Sequence, residues 1–311
     1  MTSAEAARES AIDLAWSLWA ELGVSTWARG HQDWSIEVEP LMVLTAFVGR
    51  SDPRLMRESI DWCAQFKDFI SINQFRHVVT AARLPFPGEV NDYSATVANH
   101  TKRNMPGADV GEAYSLKRSH ASRLPDFSSP SLVQLRLRAL LGVSARAEVL
   151  RVLVTHPART WTIADMAKHV AYTRRHVATA LDRLQIAGVV YATGSDGKHE
   201  YVVRASEELA ALSGPRPRVV PRWGAVVGAL VTILKALTQV TSPALSMPES
   251  ELSRQLRLLQ PHLHDAGILL PELRREALVE DFVEWGAGIF TSFAAGNPRY
   301  LPTASSHGVN G

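Results

Sequence analysis

The chain has 311 residues, 46% of them hydrophobic and 21% charged, with a formal net charge of +2. That length predicts two or three domains, because single cores stop growing near about 250–300 residues. One cysteine, Cys63, excludes an internal disulfide framework and a cysteine-based zinc site, and it suits a reducing, cytoplasmic setting.

The N-terminus "MTSAEAARESAIDLAW" is acidic where a secretory signal would be basic, so no targeting segment is expected. A helical N-terminal domain is predicted over 1–84. In "ESAIDLAWSLWAELG", Ile12, Ala15, Trp16, Trp19 and Leu22 recur at spacings of three and four before Gly23. "EPLMVLTAFVG" stops at Gly49, and "SDPRLMRESIDWCAQF" starts with a Ser51/Asp52 cap and Pro53 at the first helical position. "SINQFRHVVTAAR" supplies a further helix. Trp16, Trp19, Trp27, Trp34 and Trp62 are assigned to the core of this bundle.

From 85 to 129 the periodicity lapses into Pro, Gly, Ser and Asn, which predicts an irregular basic linker carrying Lys102, Arg103, Lys117, Arg118 and Arg123. "SPSLVQLRLRALLG" then reads as a helix apolar almost all round, with Arg136 and Arg138 emerging, packed between domains or against a second subunit. The segment 144–156 begins at a Ser144 cap. "TIADMAKHV" begins at Thr162, "AYT" turns the chain, and Thr173 caps "RRHVATALDRLQIAG", whose Val177, Ala180, Leu181 and Leu184 form one stripe. "VVYAT" and "HEYVV" flank Asp196-Gly197, a tight-turn pair, and predict a β-hairpin. A proline-punctuated linker follows over 205–221, then a helical C-terminal domain over 222–299 and a disordered tail over 300–311. The apolar window "WGAVVGALVTILKALTQV" contains Lys235 and is short for a membrane span, so it reads as a buried helix, with no membrane partner expected.

The small net charge conceals a segregation. Residues 1–100 carry 8 Lys/Arg against 13 Asp/Glu, a net of −5, whereas residues 130–204 carry 11 against 5, a net of +6. Residues 101–129 come to +2 and residues 205–311 to −1. Positive charge gathered in one 75-residue block points to a polyanionic partner.

The order of three short helices and a hairpin over 130–204, with "LDRLQIAGVV" leading into the wing, resembles the winged helix-turn-helix domain of MarR- and ArsR-type transcription regulators. The resemblance implies a mainly α protein with a central winged helix between helical N- and C-terminal domains. It further implies a sequence-specific double-stranded DNA-binding regulator, with helix 173–187 in the major groove and the wing 188–203 on the backbone or minor groove. Arg174, Arg175, Thr179 and Arg183 lie on the outer arc of that helix, and Arg175, Thr179 and Arg183 share one stripe at i, i+4, i+8. Arginine can pair with guanine O6/N7, and threonine can meet a thymine methyl or a phosphate. Thr162, Tyr172, Thr173 and His176 are placed at the helix starts where phosphates are held, and Lys198 and His199 at the wing tip. The plain alternative is that these are solvated polar residues; against it, cations in a first helical turn oppose the helix dipole. Helix-turn-helix proteins act as dimers on half-sites about 34–36 Å apart, so a homodimer is expected, with 130–141 and 251–263 as candidate surfaces.

At a wider scale, the order of helical region, "LRLRALLGVSARAEVLRVLV", winged helix and helical region is similar to that of uncharacterised actinobacterial regulators, some of which resemble partners of nucleotidyltransferase toxins. "DWSIEVEPLMVLTAFVG" shares in that likeness. It leaves an alternative: an antitoxin-like or protein-interaction module that binds a dedicated partner through its N- or C-terminal helices. No nucleophile elbow, phosphate-binding loop or dinucleotide-binding glycine pattern occurs. Asp33, Glu37 and Glu39 read as a solvated acidic edge, and His262, His264 and Asp265 as surface residues. No catalytic residue, metal site or cofactor is therefore assigned, and the chain is not read as an enzyme.

Overall fold

The first helix shows how local chemistry sets the boundaries. Thr2 Oγ1 accepts the Glu5 amide at 3.2 Å, and the Thr2 amide donates back to Glu5 Oε2 at 2.6 Å, a reciprocal cap that starts α1 (Ser3–Glu21). The computed structural model describes residues 2–26, 30–81, 87–194, 199–204, 207–241 and 249–301, so Trp27, the Asp196-Gly197 turn and Lys198 lie outside the described residues. Helix α2 (Val38–Val48) is buried along nearly its whole length. Helix α3 (Pro53–Gln65) is capped by Asp52, whose Oδ1 accepts the amides of Arg54 and Leu55 while Oδ2 accepts Trp16 Nε1 at 2.7 Å. Helix α4 (Ile72–Ala81) follows.

Helix α5 (Pro87–Thr101) occupies part of the segment expected to be irregular. Its signal is the spacing of Val90, Tyr93 and Val97, all buried, which the surrounding Asn, Ser and Thr obscure. Residues 102–129 form no α-helix, yet they are pinned to the body as a strap. Arg103 caps the carbonyls of Lys67 and Ile70, Arg118 pairs with Asp61 at 2.8 Å, and Ser119 Oγ donates to Glu58 and Asp61. Two of the three arginines expected on a basic linker, Arg103 and Arg118, thus serve the body's own acids and carbonyls.

The central segment holds α6 (Val133–Leu141), α7 (Ala145–Thr155), α8 (Ile163–Val170) and α9 (Arg174–Ile186), then β1 (Val190–Thr193) and β2 (Glu200–Val203). The two strands pair antiparallel, Val190 opposite Val203 and Thr193 opposite Glu200, the one sheet among the described residues. Trp161, just before α8, exchanges two backbone hydrogen bonds with Tyr201, adding a single-residue third rung. Helix α10 (Glu207–Ser213) packs on α6. Helices α11 (Trp223–Val240), α12 (Glu249–Ala266) and α13 (Leu278–Ala294) complete the mainly helical chain.

Two hydrophobic cores result. The larger runs from Ala4 to Leu301 and draws on α1–α5 and α11–α13 together. The N- and C-terminal helices, expected as separate domains, therefore close on each other as one body. The cause is α11, apolar on most of its circumference, which is covered by α1, α2 and α4 as well as by α12 and α13. Helix α11 is also the one described helix long and apolar enough to cross a membrane, and most of it is buried within the protein. Polar ties reinforce the closure. Ser17 Oγ meets His31 Nδ1 at 2.7 Å, His31 Nε2 donates to the Phe293 carbonyl at 2.8 Å, and Trp34 Nε1 donates to Gly296 O at 3.2 Å. The smaller core belongs to the central segment, from Val133 to Val203. Helix α6 serves both, giving Leu135 to the larger and Val133 and Leu137 to the smaller, which accounts for its all-round apolar character.

The joint between the cores corrects three readings. Arg138 does not emerge from α6: its side chain is 0% exposed and lies 2.7 Å from both Glu39 and Glu148. Arg136 is also buried, donating to the Ser213 carbonyl. Glu37 and Glu39 are not a solvated edge, for Glu37 meets Arg151 at 3.0 Å and Glu39 is enclosed beside Arg138. Carboxylates and guanidiniums drawn from distant parts of the chain can be buried together because each supplies the other's charge and hydrogen bonds.

Candidate nucleic-acid interface

Helix α8 starts at Thr162, whose Oγ1 accepts the Asp165 amide at 3.1 Å and donates to Asp165 Oδ2 at 2.8 Å. It ends at Ala171, held at φ 54 in the left-handed region, and this reversal swings the chain into α9. Thr173 caps α9, accepting the His176 amide at 3.3 Å and meeting His176 Nδ1 at 3.0 Å. Val177, Ala180, Leu181 and Leu184 are buried against α7, α8 and the hairpin, which turns the opposite face of α9 outward.

On that outward face Arg174, Arg175, His176, Thr179 and Arg183 are all exposed. Among the described residues no carboxylate forms a salt bridge with Arg174, Arg175 or Arg183, and the first turn of α9 contains no acid. Thr179 Oγ1 donates to the Arg175 carbonyl at 3.0 Å, so its hydroxyl proton is already committed to the helix. The face therefore offers cations, amides of a helix start and a threonine methyl, a set suited to a phosphate-bearing groove. His199 is exposed at the foot of β2, while Lys198 falls outside the described residues.

Tyr172 stands apart from this group. Its ring meets His176 edge-on at 6.3 Å, but it is half-buried; burial pushes the phenol's pKa up, with Ser71 of the body opposing. It belongs to the joint more than to the outward face. Beside it, the Gln74 side-chain amide donates to the Val170 carbonyl, so the turn between α8 and α9 is held from the body side.

Two features were not read from the sequence. Arg159 lies over the Trp161 ring at 3.9 Å, and Trp161 contacts His169 at 5.1 Å and His156 at 5.9 Å, locking the base of the hairpin. Tyr191 is 44% exposed on the hairpin, facing away from the buried Val190. Strand alternation, Val190 inward and Tyr191 outward, is the signal that could have found it.

The acids Asp33, Glu37 and Glu39 do not converge on one site. Asp33 is exposed, 3.6 Å from Arg218, and is separated in role from Glu37 and Glu39. The Ser17–His31 pair is fully enclosed, with both imidazole nitrogens engaged. Burial pushes the Cys63 thiol up to about 12, which suppresses the thiolate. Among the described residues no group of three His, Cys, Asp or Glu side chains converges to hold a metal ion. Comparison with known family models, curated sequences and solved structures returned no match for this chain.

Proposed function

We propose that the chain is a sequence-specific double-stranded DNA-binding regulator whose central segment is a winged helix, with α9 entering the major groove and the hairpin lying on the flanking backbone or minor groove. The observation that carries this reading is the outward face of α9, where Arg174, Arg175 and Arg183 are exposed without a carboxylate partner among the described residues. Unneutralised arginines in a first helical turn oppose the helix dipole, a small cost that a phosphate or a guanine edge would reverse. The Arg175, Thr179, Arg183 stripe is assigned to base edges, with the Thr179 methyl toward a thymine methyl. The amides at the starts of α8 and α9, beside Thr162, Thr173 and His176, are assigned to phosphates, as are Lys198 and His199. Tyr172 is assigned instead to holding the turn against the body. Acting in the cytoplasm as a homodimer, the protein would place two such helices on two half-sites, the helical body supplying the contact between copies.

Selection from a randomised duplex pool with the full chain, followed by mobility shift on the enriched sequence, tests this. Arg175→Ala should weaken the selected site by about 1–3 kcal/mol and relax its preference at one position. No enrichment, and no retention of any duplex at low salt, would refute the reading.

A further inference from the structure

The joint between the two cores holds five charged side chains: Glu37 and Glu39 from the start of α2, Arg138 from α6, and Glu148 and Arg151 from α7. Three carboxylates face two guanidiniums, so the fully ionised cluster carries one uncompensated negative charge in a largely enclosed site, a costly arrangement. The carboxylates are not equivalent. Glu39 accepts from Arg138 Nη1 at 2.7 Å, from Arg138 Nη2 at 3.1 Å and from the Ser71 amide at 2.6 Å. Glu148 lies between both guanidiniums, with Arg138 Nε at 2.8 Å and Arg151 Nε at 2.9 Å. Glu37 has one contact among the described residues, Arg151 Nη1 at 3.0 Å, and at 17% side-chain exposure it is the most accessible of the five.

We propose that docking of the central segment onto the helical body is proton-coupled, with Glu37 holding one proton in the docked state. A neutral Glu37 still accepts from Arg151 through its carbonyl oxygen, and it leaves Glu39, Arg138, Glu148 and Arg151 balanced two against two. Burial raises the Glu37 carboxyl, with Arg151 opposing; Glu148, although also buried, is drawn down to about 2 by Arg138 and Arg151. The charges acting on Glu37 are those of the cluster itself, while Arg159 and Arg222 act on His169 beyond it. His169 on α8 is driven toward its neutral form by burial and by Arg151, His156, Arg222 and Arg159, and Tyr172 keeps its proton. The sign follows: with the docked pKa above the undocked one, docking takes up a proton between the two values. It is favoured as pH falls into that window and weakened as pH rises above it. This inference does not depend on DNA binding.

Hydrogen–deuterium exchange on the full chain, corrected for intrinsic rates, tests it on peptides covering 36–39, 69–74 and 134–138. Glu37→Gln mimics the protonated side chain, so at about pH 8 its joint peptides should be several-fold better protected than those of the parent protein. That advantage should shrink as pH falls toward the ordinary carboxylate range, as the parent Glu37 takes up its own proton. Glu39→Gln removes a fully coordinated charge and should lower protection at both pH values. Equal or weaker protection of Glu37→Gln at about pH 8, or an advantage independent of pH, would overturn the proposal. Loss of duplex retention with this pattern intact would count against the DNA reading alone.

Discussion

Replacing Arg138 with methionine should be among the most damaging single changes available. The guanidinium donates to Glu39 through two nitrogens, to Glu148, and to the Phe69 carbonyl at 2.6 Å, and none of its surface reaches solvent. Methionine keeps much of the packing volume but strands Glu39 with the Ser71 amide as its remaining partner and leaves Glu148 to Arg151. Breaking a buried ion pair from one side costs about 3–5 kcal/mol, because the surviving charge stays out of water without compensation. Urea unfolding followed by circular dichroism measures the loss directly. The companion variant Arg138→Met with Glu39→Met removes the stranded charge as well. It should recover a substantial part of the loss, leaving the pair non-additive. A single-variant loss below about 1 kcal/mol, or a double variant as unstable as the summed singles, would refute a buried, charge-matched joint.

Acid should destabilise the body through His31. Its folded pKa is lowered by burial, with the Phe293 carbonyl opposing, so below the unfolded value of about 6.5 the unfolded chain binds a proton that the folded chain refuses. Stability is therefore lost as pH falls from there toward the folded value, and the His31 C2–H resonance should not titrate at the ordinary histidine pKa in the folded protein. Gly23→Ala should unfold the region around the strap. Gly23 sits at φ +95, and an added Cβ would lie 1.8 Å from the Arg123 carbonyl oxygen, a clash with backbone that cannot yield cheaply. A thermal midpoint within about 2 °C of the parent would contradict that account.

What the sequence revealed and what it concealed divides by distance along the chain. The Asp52, Ser144, Thr162 and Thr173 starts are local events, each a side chain reaching an amide two or three residues ahead. The outward face of α9 was equally legible, because Val177, Ala180, Leu181 and Leu184 alone dictate which way it turns. Arg138 was misread because its partner Glu39 is 99 residues away, and no local pattern announces that match. A charged residue on a nearly all-apolar helix reads as emerging until a buried counter-charge is found. The closure of α1 on α13 is longer-ranged still, with His31 and Phe293 separated by 262 positions. Helix α5 was missed for the opposite reason: its three-residue apolar spacing is local, but a run of polar residues diluted it.

The charge segregation acquires a different meaning once the joint is in view. The acidic 1–100 block and the basic 130–204 block partly answer each other, since Glu37 and Glu39 cross over to Arg138 and Arg151. Those two arginines are enclosed and can meet no external polyanion. A net charge counted along the sequence therefore overstates the field available to a partner. What remains outside is shared between Arg146, Arg159, Lys168 and Arg204 on other elements and Arg174, Arg175 and Arg183 on α9, which stand in solvent on a helix whose inner face is fixed by its own core. The three on α9 differ from the rest in sharing one helix, which is what the proposed groove recognition requires. An even spread supplies attraction alone, while a stripe on a rigid helix also supplies register. The joint then has a consequence for the proposed recognition. By tying the turn before α9 to the body through Gln74, it sets the direction in which that stripe points relative to the rest of the chain.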